Sequence, residues 1–308
     1  MQHTIWDTAI IGSGPAGLTA GIYTTRGALS TVIIAGDSWG GQLMLTTEVD
    51  NFPGFPKGII GSSLMEKMKD QAVRFGAKFI QDNVTTVDFS KRPFVLTVHD
   101  SLITAHSVII ATGAETKWLG VKGEKELIGR GISSCAPCDA PFFKEKNVIV
   151  VGGGDSAMEE ALVLTKYATK VTIIHRKGEF RASKIMQEKV LRNPKIEIIW
   201  DSEVVEVKGK DRLQEIVIKN IKTNETSEIN IDGLFVAIGH NPTSSLFKGI
   251  IDLDEKGYIV PKSGSKTNIE GVFVSGDIHD HTYKQAITAA GYGCMAGMET
   301  INYISNLK

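Results

Sequence analysis

Two cysteines separated by two residues are the side chains whose type and spacing most clearly indicate chemistry in this sequence. Cys135 and Cys138 enclose Ala136 and Pro137, and Asp139 follows directly. This spacing lets two thiols close into a disulfide and open again with little movement of the chain. The motif therefore predicts a redox site in which Cys135 and Cys138 are the reacting groups.

A structural zinc site is the alternative interpretation of such a pair. A zinc site of that kind needs four ligands, and the third cysteine, Cys294, stands in a predicted helix without a partner at ligand spacing. His279 and His281 have no third ligand at a suitable spacing, and we interpret them as loop residues. The sequence therefore favours redox chemistry without a metal, with Cys294 as a small packed residue.

A glycine-rich turn near the start of the chain has the pattern of a dinucleotide site. Gly12, Gly14 and Gly17 lie between an apolar run at 6–11, a predicted buried strand, and a predicted helix at 16–25. There the first glycine permits a tight turn, the second lets a pyrophosphate approach the backbone, and the third allows close packing of helix on strand. A turn without a ligand is the alternative, and the flanking strand and helix favour the dinucleotide.

A second fingerprint begins fourteen residues after the cysteine pair. Gly152, Gly153 and Gly154 follow an apolar run at 147–151, and Ala157 takes the place of the third glycine. The pattern tolerates this replacement because the packing contact needs only a small side chain. The chain is therefore predicted to bind a second nucleotide.

Positive charge follows the next strand of this second site. The predicted strand at 170–174 is followed by His175, Arg176, Lys177 and Arg181. An NAD site usually has a carboxylate here, which accepts a hydrogen bond from the ribose 2′-hydroxyl. Cations instead fit a 2′-phosphate. The second site is therefore predicted to bind NADP(H), with a solvated basic loop as the alternative.

The first site has an acid instead. Asp37 lies 20 residues after Gly17, beyond a predicted strand at 31–35, where a ribose-binding acid is expected. Two sites of different character indicate two different nucleotides. A flavin that stays bound and a nicotinamide that visits would explain both, since flavin accepts hydride and can pass electrons to a disulfide.

Composition excludes several classes of protein. The 308 residues, 42% of them hydrophobic, suit an α/β enzyme of about two domains. A net charge of −1 argues against a nucleic-acid-binding protein. No apolar stretch reaches the ~18 residues of a membrane span, and the N-terminus shows no signal-peptide pattern. We therefore expect a cytoplasmic protein with no membrane or nucleic-acid partner, whose few cysteines are not a structural framework.

Two similar segments, 107–114 and 233–242, each consist of an apolar strand that ends at a glycine. Each would close one nucleotide-binding unit. The predicted fold class is α/β, with two Rossmann-like nucleotide-binding domains, the second inserted into the first. The discontinuous domain covers 1–116 and 246–308, and the inserted domain, 117–245, carries the CxxC motif.

From residue 5 to about residue 305, the chain resembles the low-molecular-weight thioredoxin reductases. Besides the two fingerprints, the CxxC motif with its acid and the basic set at 175–181, the resemblance rests on short motifs: Gly40-Gly41-Gln42-Leu43, the segment 46–55, Ala111-Thr112-Gly113, Gly276-Asp277 and Tyr283-Lys284-Gln285-Ala286. It implies FAD in the discontinuous domain, NADPH in the inserted one, a homodimer, and thioredoxin as the protein substrate.

The same resemblance assigns roles to residues by motif. Asp139 would manage the proton when the dithiol forms, with a helix N-cap as the alternative role. The FAD-binding residues would be Gly12, Ser13, Gly14, Pro15, Ala16, Asp37, Gly41, Gln42, Leu43, Asn51, Thr112, Gly113, Asp277, Lys284, Gln285 and Ala286. The NADPH-binding residues would be Gly153, Gly154, Asp155, Ser156, His175, Arg176, Lys177, Arg181 and Ile238.

Two other functions compete with a reductase of this kind. A flavin-dependent dithiol oxidase or a reductase of another disulfide would keep the flavin and the CxxC motif. An oxidase should lack the Gly152 fingerprint and the His175-Arg176 cluster, and both are present. A non-catalytic, redox-responsive flavoprotein would need a broken link between the motifs, and the sequence shows each motif intact.

Overall fold

The computed structural model describes residues 4–46 and 48–307, so Thr47 of the segment 46–55 lies outside the described residues. In chain order, the helices and strands are β1 (Ile5–Ile11), α1 (Pro15–Arg26), β2 (Thr31–Ile34), β3 (Glu48–Val49), β4 (Ile59–Ile60), α2 (Gly61–Arg74), β5 (Lys78–Ile80), β6 (Val84–Asp88), β7 (Phe94–Val98), β8 (Ser101–Ile110), β9 (Ala114–Thr116), α3 (Glu124–Leu127), β10 (Ile132–Ser133), α4 (Ala136–Asp139), β11 (Asn147–Val151), α5 (Asp155–Leu164), β12 (Lys170–Ile174), α6 (Lys184–Leu191), β13 (Ile196–Ile199), β14 (Ser202–Lys208), β15 (Glu215–Asn220), β16 (Thr226–Asn230), β17 (Gly233–Val236), β18 (His240–Pro242), β19 (Val272–Val274) and α7 (Ala286–Leu307).

The chain divides into two compact units, one made of Met1–Glu115 with Asn241–Lys308 and the other of Thr116–His240. The main sheet of the first unit has the order β5-β2-β1-β8-β7-β6, with β19 beside β8. Strands β5, β2, β1, β8 and β19 are parallel, while β7 pairs antiparallel with β8, and β6 pairs antiparallel with β7. The buried stretches Ala9–Ile11 of β1 and Val32–Ile34 of β2 are continuously apolar, as expected for a sheet covered on both faces.

Small residues let α7 approach α1 closely in the first unit. A Cβ built on Gly293 of α7 would lie 2.2 Å from the carbonyl oxygen of Ala16 in α1. Ala289, Ala296 and Gly297 continue the buried face of α7. α7 therefore packs closely on the first turn of α1, the helix that follows the glycine turn after β1.

The second unit repeats the pattern with a fully parallel sheet of order β10-β17-β11-β12-β13. Apolar side chains from β11, β12 and α5 form one of its cores, which includes Val150, Ala161 and Ile173. The antiparallel sheet β14-β15-β16 adds a second core on the other face. Both predicted nucleotide turns therefore stand at the carboxyl end of a central parallel strand, where such sheets bind ligands.

Strands β9 and β18 pair as a separate two-stranded sheet, and they contain the two places where the chain crosses between the units. The predicted α/β class with two Rossmann-type units is confirmed. Among the described residues, no helix has the length and hydropathy needed to cross a membrane.

Candidate active site

The cysteine pair lies between β10 and the short helix α4. Cys135 and Cys138 are joined as a disulfide, with Cα atoms 5.3 Å apart. The N–H of Cys135 donates to the hydroxyl of Ser133, the last residue of β10, at 3.0 Å. Both cysteines are half-buried, while Pro137 between them is exposed. The pair is thus held by the sheet on one side and is open to solvent on the other.

Asp139 ends α4, one residue after the pair. Burial raises the pKa of this carboxyl above its ordinary value, and a hydrogen bond from the Ser133 hydroxyl opposes the rise. The Asp139 side chain makes no capping bond to the turn that follows, so it does not act as an N-cap. A carboxyl whose proton is held more tightly than usual, beside a redox pair, is suited to exchange a proton with the dithiol.

The turn after β1 has the glycine geometry of a dinucleotide fingerprint. A Cβ on Gly12 would lie 2.2 Å from the carbonyl oxygen of Ala111, and one on Gly17 would lie 2.1 Å from the carbonyl oxygen of Gly12. A Cβ on Gly14 would meet no atom within 4 Å. The outer glycines are therefore required by packing, and Gly14 leaves open space into which a ligand could fit.

The residues beside Gly14 have structural roles. The buried hydroxyl of Ser13 donates to the carbonyl of Ala35 and accepts from the N–H of Gly40, both at 2.9 Å, so it joins the turn to the end of β2. Pro15 is the first residue of α1, where its missing N–H costs nothing, and Ala16 is buried. Ser13 therefore shapes this site through its side chain.

The Gly41 motif and the acid after β2 lie near the same turn. A Cβ on Gly41 would be 3.5 Å from the Cα of Gly14. Gln42 is exposed, and Leu43 packs partly buried against the core behind it. Asp37 is exposed at the end of β2, and its carboxylate accepts a hydrogen bond from the side-chain amide of Asn83.

Segments far apart in sequence also meet in the first unit. The Nδ2 of Asn51 donates to the Oε1 of Gln285 at 3.2 Å, across 234 positions of the chain. The hydroxyl of Thr112 donates to the carbonyl of Thr243 at 2.8 Å, and a Cβ on Gly113 would meet no atom within 4 Å. The fold therefore brings the 51 and 285 motifs together.

Asp277 is the most perturbed acid of the first unit. Its Oδ1 is buried and has no hydrogen-bond partner among the described residues. Burial, followed by the negative charge of Asp280, raises the pKa of Asp277 to about 7. Gly276, the preceding residue, lies close to Ala16: a Cβ on Gly276 would be 2.7 Å from the Cβ of Ala16. A buried acceptor without a donor, next to the fingerprint turn, fits a ligand that brings hydroxyl groups.

Asp280 shapes the segment that precedes α7. Its buried carboxylate accepts from the N–H groups of Thr282 and Tyr283 at 2.9 Å and of Lys284 at 3.3 Å. Lys284 has a positive φ of 47°, and Ala286 begins α7. Asp280 thus fixes the backbone that presents the Lys284 motif.

The turn after β11 repeats the glycine geometry. A Cβ on Gly152 would lie 2.4 Å from the carbonyl oxygen of Ala237, and one on Gly154 would meet no atom within 4 Å. Ser156 is exposed at the start of α5. Ile238, next to Ala237 and beyond β17, is 38% exposed. The open space again lies at the glycine expected to face a pyrophosphate.

His175 packs behind this turn and does not extend into solvent. It is 5% exposed, and a Cβ on Gly153 would lie 2.2 Å from its ring. Phe180 and Trp200 lie beside the imidazole, at ring-centre distances of 5.6 Å and 6.2 Å. Burial lowers the pKa of His175, a hydrogen bond with the backbone of Glu179 opposes this change, and the charges of Arg181, Arg176 and Lys177 lower the pKa further.

The basic segment is fastened to the fingerprint by its backbone. The N–H groups of Arg181 and Ala182 donate to the carbonyl of Gly153 at 2.7 Å and 3.2 Å. Asp155, the first residue of α5, accepts from the N–H and the hydroxyl of Ser183 at 2.9 Å and 2.8 Å. These bonds hold the pKa of Asp155 below its ordinary value. Asp155 therefore links the start of α5 to the end of the basic segment.

The cations themselves remain at the surface. Arg176, Lys177 and Arg181 are exposed, and none of them forms an ion pair within residues 4–46 and 48–307. Cations gathered without a carboxylate partner are suited to an anionic ligand. The fold thus brings these three cations to the edge of the Gly154 turn.

Sequence reasoning missed several residues that hold the sites. Ser133, Asn83 and Ser183 make side-chain bonds to residues that were predicted to act, yet no spacing rule connects them to those partners. Asp280 could have been found, because an acid two residues before Thr282 is a common local turn signal.

The fold and the site define a class of protein: a disulfide oxidoreductase on two Rossmann-type units that works with flavin and nicotinamide cofactors. The family model for pyridine nucleotide-disulphide oxidoreductases matches residues 6–293.

Similar proteins narrow the class. The chain is 51% identical over 301 residues to the thioredoxin reductase of Rickettsia prowazekii, covering 96% of this chain and 97% of that protein. It is 50% identical over 304 residues to the thioredoxin reductase of Streptomyces coelicolor, covering 97% and 94%. The crystal structure of thioredoxin reductase from Streptococcus pyogenes has a TM-score of 0.95 at 38% identity, covering 99% and 100%. The chain belongs to the pyridine nucleotide-disulphide oxidoreductases and, within them, to the low-molecular-weight thioredoxin reductases.

Proposed function

We propose that this chain catalyses the NADPH-dependent reduction of oxidised thioredoxin. The observation that carries the proposal is the Cys135–Cys138 disulfide, which lies in the same compact unit as a nucleotide turn edged by exposed cations. The other unit supplies a second nucleotide turn. A nucleotide that donates hydride, a flavin and a disulfide are the parts that such a reaction needs.

FAD is the cofactor that we propose for the unit 1–115 and 241–308. The open space at Gly14 exposes backbone to a pyrophosphate, and the buried Oδ1 of Asp277 would accept from a ribityl hydroxyl. The paired amides of Asn51 and Gln285 would line the flavin. When bound, the flavin supplies a group that accepts hydride and returns an electron pair.

NADPH is the nucleotide that we propose for the unit 116–240. The open space at Gly154 would take its pyrophosphate. Arg176, Lys177 and Arg181 would bind the 2′-phosphate, since each is exposed and able to turn towards it. The buried ring of His175 also supports Gly153 from behind, and its contact with the 2′-phosphate stays a prediction.

The chemistry at the cysteines is a thiol–disulfide exchange. Reduction of the Cys135–Cys138 disulfide takes up two electrons and two protons and gives two thiols. One thiolate then attacks the partner's disulfide, which forms a mixed disulfide and releases one partner thiol. The second cysteine attacks the mixed bond, which restores the Cys135–Cys138 disulfide and releases the reduced partner. Asp139 would supply and take back protons in these steps.

We further propose a homodimer in the cytoplasm. An exposed apolar stripe on α7, formed by Ile287, Met295 and Met298 at 43%, 44% and 54% exposure, supports a partner surface on the first unit. Disulfides of cytosolic proteins are usually transient and catalytic, and a cycling CxxC pair without other disulfides in the described residues fits that compartment.

NADPH oxidation by the purified protein tests the function. We expect oxidation that depends on oxidised thioredoxin and is slow with oxygen or oxidised glutathione alone. An equal rate with oxygen alone would show that electrons pass from NADPH to oxygen without a protein disulfide, and it would contradict the proposal.

A further inference from the structure

The backbone donors around the first cysteine all have acceptors within the chain. The N–H of Cys135 donates to Ser133. The N–H groups of Cys138 and Asp139 donate to the carbonyl of Cys135 at 3.2 Å and 3.1 Å, and Pro137 has no N–H. The start of α4 therefore differs from a helix N-terminus whose N–H groups stabilise a thiolate.

The remaining N–H of this turn belongs to Ala136, and its acceptor comes from another helix. It donates to Oε2 of Glu160, on α5, at 3.2 Å. Ala136 is fully buried and Glu160 is half-buried, so solvent screens the contact only in part. A carboxylate from the nucleotide-binding helix thus lies at the residue next to Cys135.

We propose that Glu160 is a positioning residue that makes the Cys135–Cys138 pair a stronger reductant. By occupying the Ala136 N–H and placing negative charge at the start of α4, it disfavours a thiolate on the adjacent cysteine. Disfavouring the thiolate destabilises the reduced pair relative to the disulfide, and a less stable reduced form gives up its electrons more readily. The inference rests on the proposed function only in requiring that the pair cycles.

Other charged groups near α4 do not replace Glu160. α4 packs mainly against α5 and the turn Ala140–Phe143, and that turn has no titratable side chain. On α5, Asp155 is bonded to Ser183, and Glu159 is exposed. On α4 itself, burial favours the neutral form of Asp139. Glu159 therefore offers a matched control: the same charge, one position away on the same helix.

The test measures the thiol–disulfide equilibrium of the purified full-length protein with its flavin, using dithiothreitol buffers and alkylation of free thiols. At pH 9, where a thiol of ordinary pKa is about half ionised or more, Glu160→Gln should shift the equilibrium about twofold to fivefold towards the dithiol. At pH 6 both thiols are protonated, and the shift should vanish. Glu159→Gln should match the parent protein at both values.

A second measurement separates charge from packing. In a Cys138→Ser background, the pH profile of Cys135 alkylation should move to lower pH by about half a unit or more with Glu160→Gln. An unchanged equilibrium at pH 9, an equal shift with Glu159→Gln, or an unmoved alkylation profile would each overturn the proposal. A protein whose pair titrates in this way but does not reduce thioredoxin would contradict the proposed function and leave this inference standing.

Discussion

The two nucleotide turns have the same backbone geometry but differ in the segments that surround them. Gly12 and Gly152 each approach the carbonyl of the residue that follows a neighbouring strand, at Ala111 and Ala237. At each turn one further glycine, Gly14 or Gly154, faces open space. The same strand-turn-helix arrangement thus serves both units.

The surroundings of the two turns come from different distances along the chain. In the first unit, Gly41 lies beside Gly14, Gly276 lies beside Ala16 just before Asp277, and Asn51 is bonded to Gln285 across 234 positions. Around Gly154, Asp155 and the carbonyl of Gly153 hold a basic segment that lies within 30 residues. A ligand contacted by many distant segments leaves only when several of them open, whereas a ligand on one local segment can exchange. The difference matches a resident cofactor and a visiting one.

Removing the redox pair should have the largest effect and should leave both nucleotide sites intact. We expect Cys135→Ser and Cys138→Ser each to reduce thioredoxin no faster than the uncatalysed control, because exchange needs both sulfurs. Flavin content and the bleaching of flavin by NADPH should be unchanged. Cys294→Ser is the matched control and should keep its activity. Loss of flavin from the CxxC variants would show that the sites are not independent.

Asp277 should make the first site sensitive to pH when its cofactor is absent. Its pKa is about 7 in the folded chain, above the ordinary value, so its stabilising contribution is complete below about pH 4 and is lost as pH rises through about 7. Flavin-stripped protein should lose at most on the order of 4 kcal/mol of unfolding free energy this way. Urea unfolding should show Asp277→Asn gaining stability over the parent at pH 8 but not at pH 4, while the exposed Asp252→Asn changes neither value.

Arg176 should give the second site its preference for NADPH over NADH, a preference that the first site does not need. Losing a charge-assisted contact to a phosphate should cost about 1.5–3 kcal/mol, or roughly tenfold to a hundredfold. Arg176→Ala should raise KM for NADPH by that factor and leave NADH nearly unchanged. Arg192→Ala removes an exposed arginine paired with Glu188 and should affect neither nucleotide. An equal loss with NADPH and NADH would mean that Arg176 does not contact the 2′-phosphate.

Asp155 should have the smallest effect, because it acts on the second site through Ser183. In Asp155→Ala this hydrogen-bonded link is lost and the basic segment is held less firmly. The preference for NADPH over NADH should then fall about threefold. Ser183→Ala should give the same change, and the double variant should add little to either single one. Additive effects in the double variant would show that the two residues act separately.

Local patterns predicted the elements around both turns well. The strand expected at 6–11 runs from Ile5 to Ile11, and the helix expected at 16–25 runs from Pro15 to Arg26. The predicted helix that contains Cys294 runs from Ala286 to Leu307. These elements are governed by periodicity and glycine chemistry, which act over a few residues and can be read from sequence.

The supports of the site could not be predicted in the same way. Glu160 meets Ala136 across 24 positions, and Asn83 meets Asp37 across 46. Such contacts depend on how helices and strands pack, and the sequence gives them no period. His175 is an example. Its sequence neighbours Arg176 and Lys177 suggest that His175 is an exposed member of the basic set, but the end of β12 is buried and the His175 ring packs on Gly153. A direct contact between His175 and the 2′-phosphate stays a prediction.

The pairing of β9 with β18 has a consequence for how such a chain could arise and be rearranged. The segment 116–240 is one continuous stretch with its own apolar cores, and it enters and leaves through neighbouring strands. Its two ends are therefore adjacent. A domain whose ends are adjacent can be inserted into another domain without disrupting the fold of the domain that receives it. A gene joined directly from 115 to 241 would bridge a short gap, and the excised piece would carry both a nucleotide turn and the cysteine pair.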